Sequence, residues 1–352
     1  MKRTRYSMLA VDGGGIRGIV PARVLQEIEQ HFNRPIAELF DLVAGTSTGG
    51  IIALGLTKPL PGTTTPEFEA RDLCALYQDH GGEIFPRSLW RKAKTAAGLA
   101  GVKYSAKPLE ELLDARFGDA MLSEALVDVC IPSYDLSRPA AYFFKRSYAR
   151  HEDEPWDVKM AVAARATSAA PTYFDPARVA GDHALVDGGV FANNPAVAGY
   201  ADALDIVAEQ RDVFAEDVEI QVVSIGTGQP PQDYASGNPI PVRWSHSQGW
   251  GLARWARPVL EVVFDGVAEA AEYELRRLCR HADGQSPRYH RLQSPLRNAS
   301  HALDDASPSN IARLMEDAER LIEDERETLA GIYAALADVA ADRDTREWPR
   351  AA

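Results

Sequence analysis

A serine framed by glycines separates two apolar runs of the chain at residues 45–49. These five residues fit the pattern Gly-x-Ser-x-Gly, in which a strand turns sharply into a helix and exposes the serine. Residues 42–44 are typical of the end of a buried strand, and residues 51–54 of the start of a buried helix. A turn this tight strains its central residue and leaves no room for side chains two positions away. The pattern therefore predicts an α/β fold in which the Ser47 hydroxyl lies above a helix N-terminus, where an oxyanion is favoured. The alternative is an ordinary strand–turn–helix that contains a serine by chance.

A glycine-rich loop follows the first predicted strand, which covers residues 6–11. The loop has the sequence Asp-Gly-Gly-Gly-Ile-Arg-Gly at residues 12–18 and precedes an amphipathic helix. Its glycines match Gly-x-Gly-x-x-Gly, so a nucleotide-binding module that uses the loop at Gly13 to Gly18, without hydrolysis, is an alternative function. A dinucleotide fold also needs an acidic residue at the end of the second strand, and here that strand ends in the serine turn.

The same loop is suited to an oxyanion hole. Consecutive glycines let backbone N–H groups point into a cavity without a Cβ in the way. Beside Ser47, the amides of Gly13, Gly14 and Gly15 would face the oxygen of a carbonyl under attack. Arg17 would either add a fixed positive charge there or pin the loop to a neighbouring carboxylate, and the sequence leaves both roles open.

A serine nucleophile needs a base, and the sequence offers two solutions. The order serine, acid, histidine is one of them. The histidines after Asp187 lie in predicted loops or at a helix end: His246, His281, His290 and His301. The other solution is Asp187 itself, which follows a short apolar strand and precedes two glycines. Burial would raise its pKa and let it take the Ser47 proton directly, so we expect a Ser47–Asp187 dyad.

In this order, the loop at residues 12–18, the turn at residues 45–49 and the Asp-Gly-Gly at residues 187–189 resemble the three signatures of the patatin-like phospholipases. One glycine after Asp187 stands where many members have alanine, and the similarity spans about residues 8–228. The resemblance implies a three-layer α/β/α fold with a mostly parallel central sheet. It also implies the dyad and the oxyanion hole described above, including Arg17. The implied reaction is hydrolysis of fatty acyl esters, usually of glycerophospholipids, without metal or other cofactor.

Compact bacterial members without a leader also resemble effectors of anti-phage signalling that a cyclic dinucleotide activates. The resemblance therefore implies such an activator as a partner. Two segments are candidates for its pocket, because cations beside indole rings bind bases and phosphates. One is the basic stretch around Trp90, and the other is the stretch around Trp250 in which arginines alternate with tryptophans. A solvated helix face and core tryptophans are the alternatives.

Length, charge, hydropathy and cysteine content limit which domain organisation, partners and compartment we expect for this chain. The 352 residues are expected to form a single domain, with a core at about residues 6–228 and a helical C-terminal extension at about residues 250–345. The net charge of −13 disfavours DNA and RNA duplexes as partners. No run approaches the roughly 20 apolar residues of a spanning helix. The three cysteines fit a reducing compartment. We expect a cytoplasmic protein that acts at the inner face of a phospholipid membrane, and a homo-oligomer remains open.

Overall fold

A computed structural model describes residues 4–85, 101–150, 157–179, 181–211, 218–229, 251, 255, 258–279 and 288–344. Its strands are β1 (Thr4–Val11), β2 (Leu42–Gly45), β3 (Asp128–Asp135), β4 (Ala140–Lys145), β5 (Ala177–Val179), β6 (His183–Asp187), β7 (Val218–Ile225) and β8 (Tyr289–Leu292). They form one sheet in the order β5-β6-β3-β2-β1-β7-β8, with β4 paired to β3. The five strands from β3 to β8 in this order are parallel, and β4, β5 and β6 add antiparallel pairs at one end. The expected mostly parallel sheet is confirmed.

Helices cover both faces of this sheet. They are α1 (Ile19–Phe32), α2 (Ile36–Leu39), α3 (Thr48–Thr57), α4 (Ala70–Ile84), α5 (Lys107–Phe117), α6 (Arg146–Ala149), α7 (Met160–Thr167), α8 (Gly189–Ala192), α9 (Ala196–Arg211), α10 (Pro258–Leu278), α11 (Pro308–Asp324) and α12 (Arg326–Asp344). A 3-10 turn at Gly15–Gly18 precedes α1. None of the helices in the described ranges combines the length and apolarity needed to cross a bilayer.

The alternation of side chains along β1 divides the protein into two hydrophobic cores. Leu9 and Val11 belong to the larger core, which includes residues of α1, α3, α4, α5 and α7. Met8 and Ala10 point to the opposite face and pack in a smaller core with residues of α9 and α10. Successive side chains of a strand point to opposite faces, so the unbroken apolar run at residues 8–11 of β1 must be covered on both sides. The three-layer α/β/α architecture is thereby confirmed.

The register of β3 explains how two distant segments meet. Cys130 pairs with both β2 and β4, so these two strands lie on opposite sides of β3. Ser133 pairs with both β4 and β6, which puts β6 on the same side as β2. β2 is parallel to β3 and β6 is antiparallel to it, so their carboxyl ends approach each other. Ser47, just after β2, and Asp187, the last residue of β6, therefore come together.

The C-terminal part of the chain differs from the helical extension predicted at about residues 250–345. It contributes β8, which pairs in parallel with β7 from Tyr289 to Leu292. The prediction was wrong on this point because a strand of four residues in a polar segment has too few positions to show a period. The C-terminal part also reaches the glycine loop, since the carbonyl oxygen of Leu303 accepts from the Ile16 amide.

Candidate active site

The turn at Ser47 has strained backbone geometry. Ser47 has φ 55° and ψ −123°, a conformation that residues other than glycine rarely adopt. The flanking glycines are required by space: a Cβ on Gly45 would lie 2.1 Å from the carbonyl oxygen of Gly49, and one on Gly49 would lie 2.1 Å from that of Val11. The strain lifts the Ser47 hydroxyl out of the sheet at the start of α3.

Thr167, the last residue of α7, holds this turn in place. The Ser47 amide donates to Thr167 Oγ1 at 3.0 Å, and the Thr167 hydroxyl donates to the carbonyl oxygen of Pro132 at 2.6 Å. Both bonds are buried, so little water competes for them. Thr167 lies 120 residues from Ser47 in the sequence, so no local pattern predicts this role.

Ser47 and Asp187 are in direct contact. Ser47 Oγ donates to Asp187 Oδ2 at 2.6 Å, and Asp187 Oδ1 accepts from the Gly189 amide at 2.8 Å. The Asp187 side chain is fully buried, whereas Ser47 is 8% exposed. Burial raises the pKa of Asp187 to about 7, against the opposing effect of the two hydrogen bonds. A carboxylate with this pKa can exchange a proton with a serine near neutral pH.

The histidine alternative finds no support within the described residues. His290 lies on β8, and β7 and β1 separate it from β2. The Ser47 hydroxyl donates to Asp187 and to neither His290 nor His301. His246 and His281 lie outside the described residues.

The glycine loop keeps two of its three proposed amides available. The Gly13 amide donates to the carbonyl oxygen of Asn193 at 3.0 Å, so the expected role of Gly13 as an oxyanion donor is corrected. Gly14 and Gly15 line the cavity beside Ser47. Neither amide has an acceptor among the residues that the structure describes. The Ile16 amide is also occupied, by the carbonyl oxygen of Leu303 at 2.9 Å. The cavity at Gly14 and Gly15 is lined mainly by apolar side chains, which disfavours a pyrophosphate and with it the nucleotide-binding alternative.

Two side chains fix the orientation of these peptide groups. Thr227 Oγ1 donates to the carbonyl oxygen of Gly13 at 3.0 Å. The backbone amide and the side-chain Nε of Arg17 both donate to the carbonyl oxygen of Gly14, at 3.2 and 3.4 Å respectively. In a trans peptide the carbonyl and the following N–H point in opposite directions. The N–H groups of Gly14 and Gly15 therefore point away from Thr227 and Arg17.

Arg17 itself does not line the cavity beside Ser47. Its guanidinium also donates to the carbonyl oxygen of Gly228 at 3.4 Å, and the side chain is buried. Of its two expected roles, the structure fits the pinning of the loop, with carbonyl groups as acceptors in place of a carboxylate.

A buried ion pair anchors the start of the loop to the C-terminal part. Arg291 of β8 donates to Asp12 Oδ1 at 2.8 Å and to Asp12 Oδ2 at 2.5 Å, and each side chain is 3% exposed. Arg291 also donates to Ser224 Oγ at 2.8 Å. No local pattern marks this pair, because its members lie 279 residues apart.

The cavity beside Ser47 is narrow and lined mainly by apolar side chains. Its volume is about 50 Å³. The apolar lining consists of Ile51, Tyr77, Ile84, Phe85, Leu109, Ala170, Tyr173, Phe174, Phe264 and Leu303. Such a surface favours a hydrocarbon chain over a charged group.

Trp90 and Trp250, around which the two segments proposed for a cyclic dinucleotide are centred, lie outside the described residues, as do the basic residues next to them. Of the neighbouring cations, Lys103 forms an ion pair with Asp304 and lies over the ring of Tyr173 at 5.0 Å. In the described ranges, no group of three or more His, Cys, Asp or Glu side chains is arranged to hold a metal ion.

Comparisons with known proteins agree with the motifs. A family model described as patatin-like phospholipase matches residues 9–199. Patatin-like protein 2 of Oryza sativa subsp. indica is 30% identical in an alignment 348 positions long, and the alignment covers 90% of this chain and 84% of the rice protein. Probable inactive patatin-3-Kuras 1 of Solanum tuberosum is 28% identical in an alignment 362 positions long, which covers 96% of this chain and 93% of the potato protein. Among solved structures, VipD from Legionella pneumophila covers 91% of this chain and 67% of its own at a TM-score of 0.36 and 12% identity, too distant to bear on the site.

Proposed function

Because this chain belongs to the patatin-like phospholipase family, we propose that it hydrolyses fatty acyl esters of membrane glycerophospholipids through Ser47 and Asp187. The family supports lipid acyl hydrolase activity in general. The observation that carries the specific proposal is the 2.6 Å hydrogen bond from Ser47 Oγ to a buried carboxylate. Beside it, the narrow cavity offers an apolar surface for the first carbons of an acyl chain.

In the proposed reaction, Ser47 Oγ attacks the ester carbonyl carbon while Asp187 Oδ2 takes the hydroxyl proton. The tetrahedral intermediate collapses to an acyl-enzyme, and Asp187 returns the proton to the departing alcohol oxygen. Water then attacks the acyl-enzyme, with Asp187 as base. Fatty acid leaves, and the Ser47 hydroxyl is restored.

The proposed oxyanion donors are the amides of Gly14 and Gly15. Both residues line the cavity beside Ser47. The hydrogen bonds from Thr227 and Arg17 to the carbonyl oxygens of Gly13 and Gly14 hold the N–H groups of Gly14 and Gly15 pointing away from Thr227 and Arg17. The N-terminus of α3 adds a positive partial charge at Ser47. Preorganised donors of this kind stabilise the charge that develops on the carbonyl oxygen.

The test is release of fatty acid from phosphatidylcholine vesicles by the wild-type protein and by Ser47→Ala. We expect release by the wild type only. Parallel samples contain a panel of cyclic dinucleotides, because activation by such a ligand remains a prediction. Absence of release in every sample, with both proteins folded, would refute the proposed activity.

The rate of hydrolysis is expected to fall as the pH drops below about 7. Burial raises the pKa of Asp187 to about 7, and only its carboxylate form accepts the Ser47 proton. Below that pH, kcat/KM should fall about tenfold per pH unit, and above it kcat/KM should level off. The measurement is kcat/KM for a soluble butyryl ester across this range at constant ionic strength. An acid limb centred near 3.9, the ordinary value for aspartate, would contradict the assignment.

Thr227→Val is expected to lower kcat about tenfold without changing KM. The substitution keeps the shape of the buried side chain but removes the bond to the Gly13 carbonyl, so the Gly14 amide loses its fixed direction. The effect should be smaller than the roughly hundredfold loss when an oxyanion donor is removed outright. Thr227→Ser, which keeps the hydroxyl, should restore kcat.

Thr57→Val is the matched control for this prediction. Thr57 is also buried, and its hydroxyl donates to the carbonyl oxygen of Ala53 at 2.8 Å, far along α3 from Ser47. Its kcat should equal that of the wild type. Equal loss of kcat in both variants would show that Thr227 contributes only to general stability.

A further inference from the structure

A second cavity adjoins the one beside Ser47. It lies between α3, α4 and α5 and has a volume of about 20 Å³. The two cavities share four lining residues, which form a wall between them: Ile51, Tyr77, Ile84 and Leu109. Beyond this wall the surface is again apolar, with Leu73, Leu76, Leu112, Leu113 and Phe117. Its polar residues, Asp72 and Arg116, are both partly or fully exposed.

The course of α3 gives the distances along this path. Ser47 lies at the first cavity, Ile51 at the wall and Gly55 at the second cavity. With a rise of about 1.5 Å per residue, the wall is about 6 Å from Ser47 and the second cavity about 12 Å. An extended acyl chain advances about 1.3 Å per carbon, since its C–C bonds are about 1.5 Å long. The wall therefore meets roughly the fifth carbon and the second cavity roughly the ninth.

We propose that the second cavity binds the distal part of a long acyl chain and that the wall selects substrates by chain length. This inference rests on the proposed acyl hydrolase function. A butyryl chain ends before the wall. A dodecanoyl chain extends past it, so its distal methylenes leave water and contact the apolar side chains of the second cavity. Burial of each further methylene favours binding, so long-chain esters should bind more tightly through the second cavity, whereas short-chain esters should not.

The wall is closed at rest, and its aliphatic members are the part that opens. The two cavities, of about 50 and 20 Å³, are narrow and separate, so a long chain has to displace the wall to pass from one to the other. Tyr77 is held by hydrogen bonds with Thr48, its hydroxyl donating to the Thr48 carbonyl oxygen at 3.1 Å. Ile51, Ile84 and Leu109 carry no polar atom on their side chains and can change rotamer.

Leu112→Trp tests the inference by filling the second cavity from α5. Leu112 lines this cavity and not the one beside Ser47, and it is only half-buried, so a larger side chain is tolerated there better than at a buried position. The ratio of kcat/KM for a dodecanoyl ester to that for a butyryl ester should fall at least tenfold. Ala115→Trp, on the exposed face of the same helix, is the matched control and should leave the ratio unchanged. An unchanged ratio in folded Leu112→Trp overturns the inference.

A binding measurement separates this inference from the proposed function. Calorimetry follows dodecanoic acid binding to Ser47→Ala, with and without Leu112→Trp. Loss of binding in the double variant supports the second cavity even if the wild type cleaves neither ester, and retained binding overturns it. If butyryl ester is cleaved but chain length has no effect, the acyl hydrolase proposal stands and the cavity proposal falls. Should Leu112→Trp fail to fold, Leu73→Phe fills the cavity from α4 and is interpreted in the same way.

Discussion

Asp187→Asn is expected to lower kcat for ester hydrolysis by at least about 10⁴-fold, the loss found when the orienting aspartate of a Ser-His-Asp triad is replaced by its amide, because here the aspartate is itself the base. The amide has the size of the carboxylate but cannot accept the Ser47 proton. In the wild type the carboxylate is fully buried and accepts from Ser47 Oγ at 2.6 Å, so bulk solvent has no access to replace it as the base. The fold should persist, because the side-chain oxygen of asparagine still accepts from the Gly189 amide.

The measurement is kcat for a butyryl ester in Asp187→Asn, Ser47→Ala and the double variant. Residues that act as one unit lose activity non-additively, so the double variant should be no slower than Ser47→Ala alone. Asp202→Asn is the control, because Asp202 is a buried carboxylate in the opposite core, paired with Lys145 at 2.9 Å. If Asp187→Asn kept most of its activity while His290→Ala or His301→Ala lost it, a histidine would be the base.

Arg291→Met is expected to cost about 3–5 kcal/mol of the free energy of unfolding, because it leaves a buried carboxylate without its cation. Burial already raises the pKa of Asp12, and Arg291 opposes that effect most strongly. Without Arg291 the pKa of Asp12 rises further. Folding at high pH must then keep an unpaired charge buried, whereas at lower pH the carboxyl is protonated and the cost falls. The deficit in stability should therefore shrink as the pH decreases.

Urea denaturation of the variants at two pH values tests this prediction. Asp12→Asn added to Arg291→Met should recover part of the loss, since the double variant contains neither charge. Arg178→Met is the control, because Arg178 is 83% exposed in its pair with Asp182 and such pairs contribute about 1 kcal/mol or less. A free energy of unfolding for Arg291→Met within about 1 kcal/mol of the wild type would mean that the ion pair does not anchor the loop.

The local features of the site are determined by residues that are close in sequence. The two glycines around Ser47 permit a turn that no larger side chain fits, and the apolar runs on either side specify the strand and the helix that it joins. The turn at Ser47, the glycine loop and the α/β class can therefore be predicted from the sequence without any long-range information. Asp187 could be proposed because it follows a short apolar strand and precedes two glycines, whereas its contact with Ser47 depends on the register of β3.

Only the tertiary structure decided which groups are already engaged and which remain free. The Gly13 amide donates to Asn193, Thr227 orients the Gly14 amide, and Arg291 pairs with Asp12 from a strand that the sequence did not reveal. The physical reason is that a periodic pattern reports the face on which a side chain lies. It does not report the distant segment that packs against that face. Such pairings depend on the order and register of the strands, and these are set by the whole sheet.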